Sequence, residues 1–142
     1  INSTMPNYVV MKLREALDRH LGIGLTRARI LIVGIAYKKN VADMRESPSV
    51  RLLSLLREAG AQVAFHDPHV PEIPRMREYP ELLGFKSLDF DAIDPADFDA
   101  ILIATDHDSI DYAALADMGL LIVDTRNAMR RCNLPLEKVV KA

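Results

Sequence analysis

Two periods of apolar residues run along this chain, and the changes between them set the predicted elements. Over residues 6–20, and at Leu21 just beyond, Val9, Val10, Leu13, Ala16, Leu17 and Leu21 recur at helical spacing, and Gly22 and Gly24 end the run. Residues 29–34 are instead almost unbroken aliphatics, the pattern of a strand buried on both faces. A polar stretch over 38–46 follows. Ser47-Pro48 then predicts a helix start, with Ser as the cap and Pro in the first turn. Leu52, Leu53, Leu56 and Ala59 line one face of that helix, and Gly60 stops it. A second strand spans 61–66 and is closed by Asp67-Pro68. Four prolines from Pro68 to Pro80 predict an irregular connection, followed by a short strand over 85–88. Buried strands over 100–104 and 119–124 flank a short helix over 111–118 that begins at an Asp cap. Aliphatic strands alternating with helices predict an α/β fold: a doubly wound, mainly parallel, Rossmann-like sheet with helices on both faces and an N-terminal helix.

Composition narrows the partners. The 142 residues are 49% hydrophobic and 27% charged, with a net charge of −2. That fits one domain and gives no general field for nucleic acid or an anionic membrane. Any bound phosphate must therefore be held by local basic residues. Cys132 is the lone cysteine, which excludes an internal disulfide and fits a reducing, cytoplasmic setting. No apolar run approaches the ~20 residues of a membrane span. Residues 1–6 lack the pattern of a signal peptide and do not begin with Met, so the chain is expected to be a piece of something longer.

Ligands of open parallel sheets sit beyond the carboxyl ends of the strands, so the residues just after each strand carry the chemistry. These are Gly34, Tyr37, Lys38, Lys39 and Arg45; His66, Asp67 and His69; Thr105, Asp106 and His107; and Asp124, Thr125, Arg126 and Asn127. The first loop holds Gly34 alone, not the Gly-x-Gly-x-x-Gly that lets a backbone approach a pyrophosphate. It offers instead an aromatic ring for stacking and cations for phosphate. Solvated surface charge is the competing reading of Lys38, Lys39 and Arg126. His66, His69 and His107 match no metal-ligand spacing, so no metal site is expected. Nor does the first strand end in the carboxylates of a receiver-type magnesium site. No base is placed beside Cys132, which argues against a nucleophile.

The block Gly34-Ile-Ala-Tyr-Lys-Lys-Asn-Val-Ala-Asp-Met-Arg-Glu-Ser-Pro48 resembles the signature opening the third domain of the UDP-glucose/GDP-mannose dehydrogenase family. The resemblance continues through Gly60-Ala61, Asp67-Pro68-His69-Val70-Pro71, Ala104-Thr105-Asp106-His107 and Val123-Asp124-Thr125-Arg126, while residues 1–10 resemble the family's long central helix. The loop wording is most similar to the branch acting on UDP-N-acetylhexosamines, in particular the 6-dehydrogenases of UDP-N-acetylglucosamine. The resemblance implies that Tyr37, Lys38 and Arg126 bind the UDP-sugar and that Arg45 contacts NAD across a cleft.

It further implies that residues 1–24 end a central connecting helix and that residues 25–142 form the UDP-sugar-binding domain. Family members oxidise a primary alcohol to a carboxylate in two NAD-dependent steps through a cysteine in a Gly-Gly-x-Cys-type motif. That motif and the NAD fingerprint are absent here, and Cys132 does not match, so no catalytic residue is expected in this chain. The implied whole enzyme is a homodimer serving surface-polysaccharide precursors, its cofactor NAD bound mainly by a further N-terminal domain. A non-catalytic nucleotide-binding or dimerisation module is the alternative.

Overall fold

The computed structural model describes residues 5–45 and 47–142. Helix α1 (Met5–Leu21) leads into β1 (Arg29–Val33), α2 (Pro48–Glu58) and β2 (Gln62–His66). After a long connection come β3 (Ala100–Ile103), α3 (Tyr112–Asp117), β4 (Leu121–Asp124), α4 (Ala128–Arg131) and β5 (Val139–Lys141). All strand pairs are parallel, in the order β2-β1-β3-β4-β5. The fold is thus the α/β, doubly wound sheet that the alternation predicts. The order reverses between β1 and β3, which makes that gap the switch point where such sheets bind ligands.

Burial on both faces explains the unbroken aliphatic strands. Ile30 and Ile32 of β1 join the core under α1 and α2, while Leu31 and Val33 join a second core with Leu115, Ala128 and Met129. Val9, Leu13, Ala16 and Leu17 of α1 are buried in the first core. Burying each of the two leucines contributes about 1.5–3 kcal/mol. Helix α2 starts as its sequence dictates: Ser47 Oγ accepts the Ser49 N–H at 3.2 Å, and Gly60, with φ +91°, ends the turn after it. At α3 the Asp111 carboxylate accepts the Ala114 N–H at 3.0 Å.

Two features differ from expectation. Residues 85–88 form no strand; they make only an isolated antiparallel bridge between Glu72 and Lys86. Pro71 and Pro74 flank the partner segment and have no N–H to extend a ladder, so pairing stops at one step. Strand β5 leaves little trace in the sequence, because its few apolar residues are only half-buried at the sheet's edge. The family resemblance over residues 1–4, and the expectations that fall on Glu46, lie outside the described residues.

Candidate functional site

The register places His66, Val33, Ile103 and Asp124 side by side in one row. Everything that follows these residues therefore emerges on one edge of the sheet. The turn after β1 is the most tightly determined part of that edge. Gly34 has φ +86°, and a Cβ there would stand 2.3 Å from Thr105 O, so only glycine lets β1 and the end of β3 come this close. The turn's polar groups are then consumed one by one. The Asp67 carboxylate accepts the N–H groups of Ile35 at 2.7 Å and Ala36 at 3.0 Å. Ser47 Oγ donates to Ile35 O at 2.8 Å, and Thr105 Oγ1 donates to Ala36 O at 2.6 Å.

Asp67 itself is buried, which opposes ionisation. The His107 side chain and three backbone N–H groups outweigh that cost and hold its carboxyl below the ordinary carboxylate range. The third of those N–H groups is that of His69, at 2.8 Å. His107 completes the arrangement with Nε2 2.9 Å from Asp67 Oδ2. In a dinucleotide-binding loop the turn's amides would face a pyrophosphate. Here a carboxylate from the neighbouring strand already occupies them, so the turn is a brace and not a phosphate cradle.

Beyond this brace lies a cleft of about 980 Å³, within the range of small-molecule sites. Tyr37, Lys38 and Lys39 line it from the β1 loop, and Arg126 lines it from the β4 loop, with Thr105 and Tyr8 between and beside them. Arg126 is delivered by an aspartate: Asp124 accepts the Arg126 N–H at 2.9 Å and the Met129 N–H at 2.9 Å, folding the chain sharply after β4. Arg126 Nε then donates to Ala104 O at 3.0 Å. Among the described residues its two terminal nitrogens have no acceptor. Lys38 makes no ion pair within 4 Å there either, although its charge acts on the Asp43 carboxyl, and its Nζ lies 5.9 Å from the centre of the Tyr37 ring. Lys39 is engaged instead, 3.2 Å from Asp108. Asp106 also lines the cleft, but it accepts from Tyr112 OH at 2.8 Å and from Arg131. Burial, followed by this contact with Asp106, pushes the Tyr112 hydroxyl well above its usual range, so it stays protonated. Asp106 and Asp108 are thus occupied, and among the described residues neither Lys38 nor Arg126 is in a close ion pair.

Comparison with known proteins gives this arrangement a lineage. Residues 31–131 match the UDP-glucose/GDP-mannose dehydrogenase family, UDP binding domain. This chain belongs to that family. It is 33% identical, in an alignment 137 positions long that covers 91% of this chain and 29% of the other protein, to a UDP-N-acetyl-D-mannosamine dehydrogenase of Methanococcus maripaludis. It is 32% identical to a UDP-glucose 6-dehydrogenase of Haloferax volcanii, with 99% of this chain and 31% of that protein covered. Among solved structures it superposes on the UDP-D-ManNAc dehydrogenase of Pyrococcus horikoshii with a TM-score of 0.71 at 26% identity, covering 98% of this chain and 30% of that one. The chain therefore spans about three tenths of the length of the dehydrogenases it matches.

Within the UDP-glucose/GDP-mannose dehydrogenase family domain, the residues singled out by sequence divide in two. Tyr37, Lys38 and Arg126 come together in the cleft from separate strand ends. Arg45 does not line it; it is exposed, with Nε 3.2 Å from Asp43 Oδ1. That contact holds the Asp43 carboxyl below its usual range. Cys132 is exposed and lies outside the cleft lining. Among the described residues no group of three or more His, Cys, Asp or Glu could hold a metal ion, and no helix is long and apolar enough to cross a membrane. Sequence reasoning named Asp67 and His107 but did not pair them. β1 stands between their strands, and only the strand order shows that the two residues flank its turn.

Proposed function

We propose that this chain binds the nucleotide-sugar of an NAD-dependent UDP-sugar 6-dehydrogenase, with Tyr37, Lys38 and Arg126 as its substrate-binding residues. The observation that carries this reading is the convergence, in one cleft at the carboxyl edge of a sheet of this family, of two cations that make no close ion pair among the described residues and one aromatic ring. A diphosphate requires compensating charge that a chain of net charge −2 cannot supply diffusely. Arg126, anchored through Nε, presents its two terminal nitrogens as a fork for phosphate or ligand oxygens, and Lys38 adds a mobile point charge. The Tyr37 ring offers a face for the base.

On this reading residues 25–142 form the binding domain, and residues 1–24 end a helix connecting it to the rest of the enzyme. NAD, held mainly by another domain, accepts the hydrides when bound. The β1 turn does not suit the dinucleotide, since its amides are taken by Asp67. Arg45, at the rim of the same loop, is the residue of this chain assigned to contact the cofactor. The domain's part in the reaction is to hold and orient the sugar, so that binding energy remote from the reacting carbon aligns the alcohol for groups elsewhere. The substrate class is a UDP-N-acetylhexosamine, oxidised to the uronic acid in the cytoplasm. The intact enzyme is a homodimer, with Tyr8 and Met11 exposed on α1 available for pairing.

Calorimetric titration of the chain with UDP and UDP-sugars tests the reading. Binding of UDP is expected, and no NADH forms when NAD and UDP-N-acetylglucosamine are added together. Absence of heat with every uridine ligand refutes it and favours a dimerisation module, to be followed by light scattering.

A further inference from the structure

His107 is wholly buried, yet it connects three segments that emerge from three different strands. Its Nε2 faces Asp67 beyond β2, and its Nδ1 accepts the N–H of Asn40, from the β1 loop, at 2.6 Å. A ring nitrogen that accepts a hydrogen bond carries no proton. The neutral ring therefore holds its proton on Nε2, directed at the Asp67 carboxylate. The His69 ring covers one side, its centre 4.5 Å from that of His107.

Asn40 is equally committed. It sits in the left-handed region with φ +62°, where asparagine is among the few tolerated side chains. Its Nδ2 donates to Asp108 Oδ2 at 2.8 Å, and its Oδ1 accepts the Asp108 N–H at 2.8 Å. The β1 loop is thus clipped to the β3 loop by one part-buried contact, a reciprocal exposed pair and the Lys39–Asp108 ion pair. The clip lies two residues from Lys38 and three from Tyr37, both of which line the cleft.

We propose that His107 and Asn40 are positioning residues for nucleotide-sugar binding: the Asn40 N–H to His107 Nδ1 contact holds the loop that presents Tyr37 and Lys38. The proposal rests on the reading of the cleft as the UDP-sugar site. Tyr37 and Lys38 sit on a loop whose residues 38–42 are exposed. Left free, that loop would have to be ordered when ligand binds, which reduces affinity; held in advance, it binds without that loss. Asp67 orients the ring, His107 reads that orientation out at Nδ1, and Asn40 passes it to the loop.

Two isosteres separate this role from a merely structural one. In His107→Asn the side-chain oxygen stands in for Nδ1, whereas in His107→Gln the side-chain amide stands in for Nε2 and reaches Asp67 only. Amide hydrogen exchange on the ligand-free chain and UDP titration are the two readouts. His107→Asn is expected to keep the Asn40 amide protected and the UDP Kd within about twofold of the parent. His107→Gln is expected to speed exchange over residues 38–40 and weaken UDP binding about three- to tenfold. Equal behaviour of the two variants, whether both intact or both impaired, overturns the proposal. Should neither variant fold, nitrogen NMR of the unaltered chain decides: an unprotonated Nδ1 coupled to the Asn40 amide is expected, and a protonated Nδ1 overturns the clip. If the unaltered chain binds no UDP, the reading of the cleft fails, and the clip is judged on exchange alone.

Discussion

Two parallel strands of this sheet carry an aspartate at or just past their carboxyl ends, and the two aspartates begin with the same local geometry. Asp67 after β2 accepts the N–H of His69, and Asp124 at the end of β4 accepts that of Arg126, each two residues on. Their second oxygens separate them. That of Asp67 turns towards the neighbouring strand, taking Ile35 N–H, Ala36 N–H and His107 Nε2. That of Asp124 turns along its own chain to the Met129 N–H at the start of α4. The first aspartate therefore fixes someone else's loop, and the second fixes its own. A strand-end aspartate is neither a ligand nor a catalyst by default; the strand beside it decides what it holds.

Substituting the first aspartate is the most damaging way to test the contrast. Asp67→Asn replaces an acceptor of three backbone N–H groups with a side chain that also donates, and is expected to cost about 3 kcal/mol in urea unfolding. Because the folded carboxyl lies below its ordinary range, its contribution is present above the unfolded value of about pH 3.9 and is lost as pH falls through the folded one. The stability gap between the unaltered chain and Asp67→Asn should accordingly narrow below about pH 4. A gap independent of pH would show that the carboxylate's charge is not what stabilises the turn.

The β4 end should respond in the opposite currency. Arg126→Ala is expected to change stability by less than about 0.5 kcal/mol while weakening UDP-sugar affinity ten- to about a hundredfold in calorimetry. Lys38→Ala should show the same split with a smaller, about tenfold, loss. Lys39 lines the cleft beside Lys38 but is engaged with Asp108 and exposed, so Lys39→Ala is expected to weaken binding by about threefold or less. A large effect at Lys39 with none at Lys38 would move the phosphate-binding charge one residue along the loop.

These assignments were unequally legible in the sequence. The buried strands could be read because residues such as Ile30 to Val33 are aliphatic without interruption, and two-sided burial leaves little other explanation. The helix start at Ser47-Pro48 carries its own local chemistry and was equally plain. Tyr37, Lys38 and Arg126 could be nominated because each follows a strand, though their meeting in one cleft depends on β1, β3 and β4 being neighbours. The Asp67–His107 and His107–Asn40 contacts span 40 and 67 residues of sequence, and no local pattern encodes a contact of that range. Strand β5 was hidden for a different reason. An edge strand buries too little to need a strongly apolar run.

The crowding at Gly34 bears on how such a domain can change over time. With Thr105 O where a Cβ would stand, β1 and the end of β3 leave no gap, and the turn's amides are already spoken for. The lining left to meet a ligand includes the interchangeable tips of Tyr37, Lys38 and Arg126. A main-chain cradle is inherited whole with the fold, whereas a grip made of side chains can be rewritten one codon at a time. Substitution at these tips can therefore alter what the cleft accepts while the braced turn beneath stays unaltered.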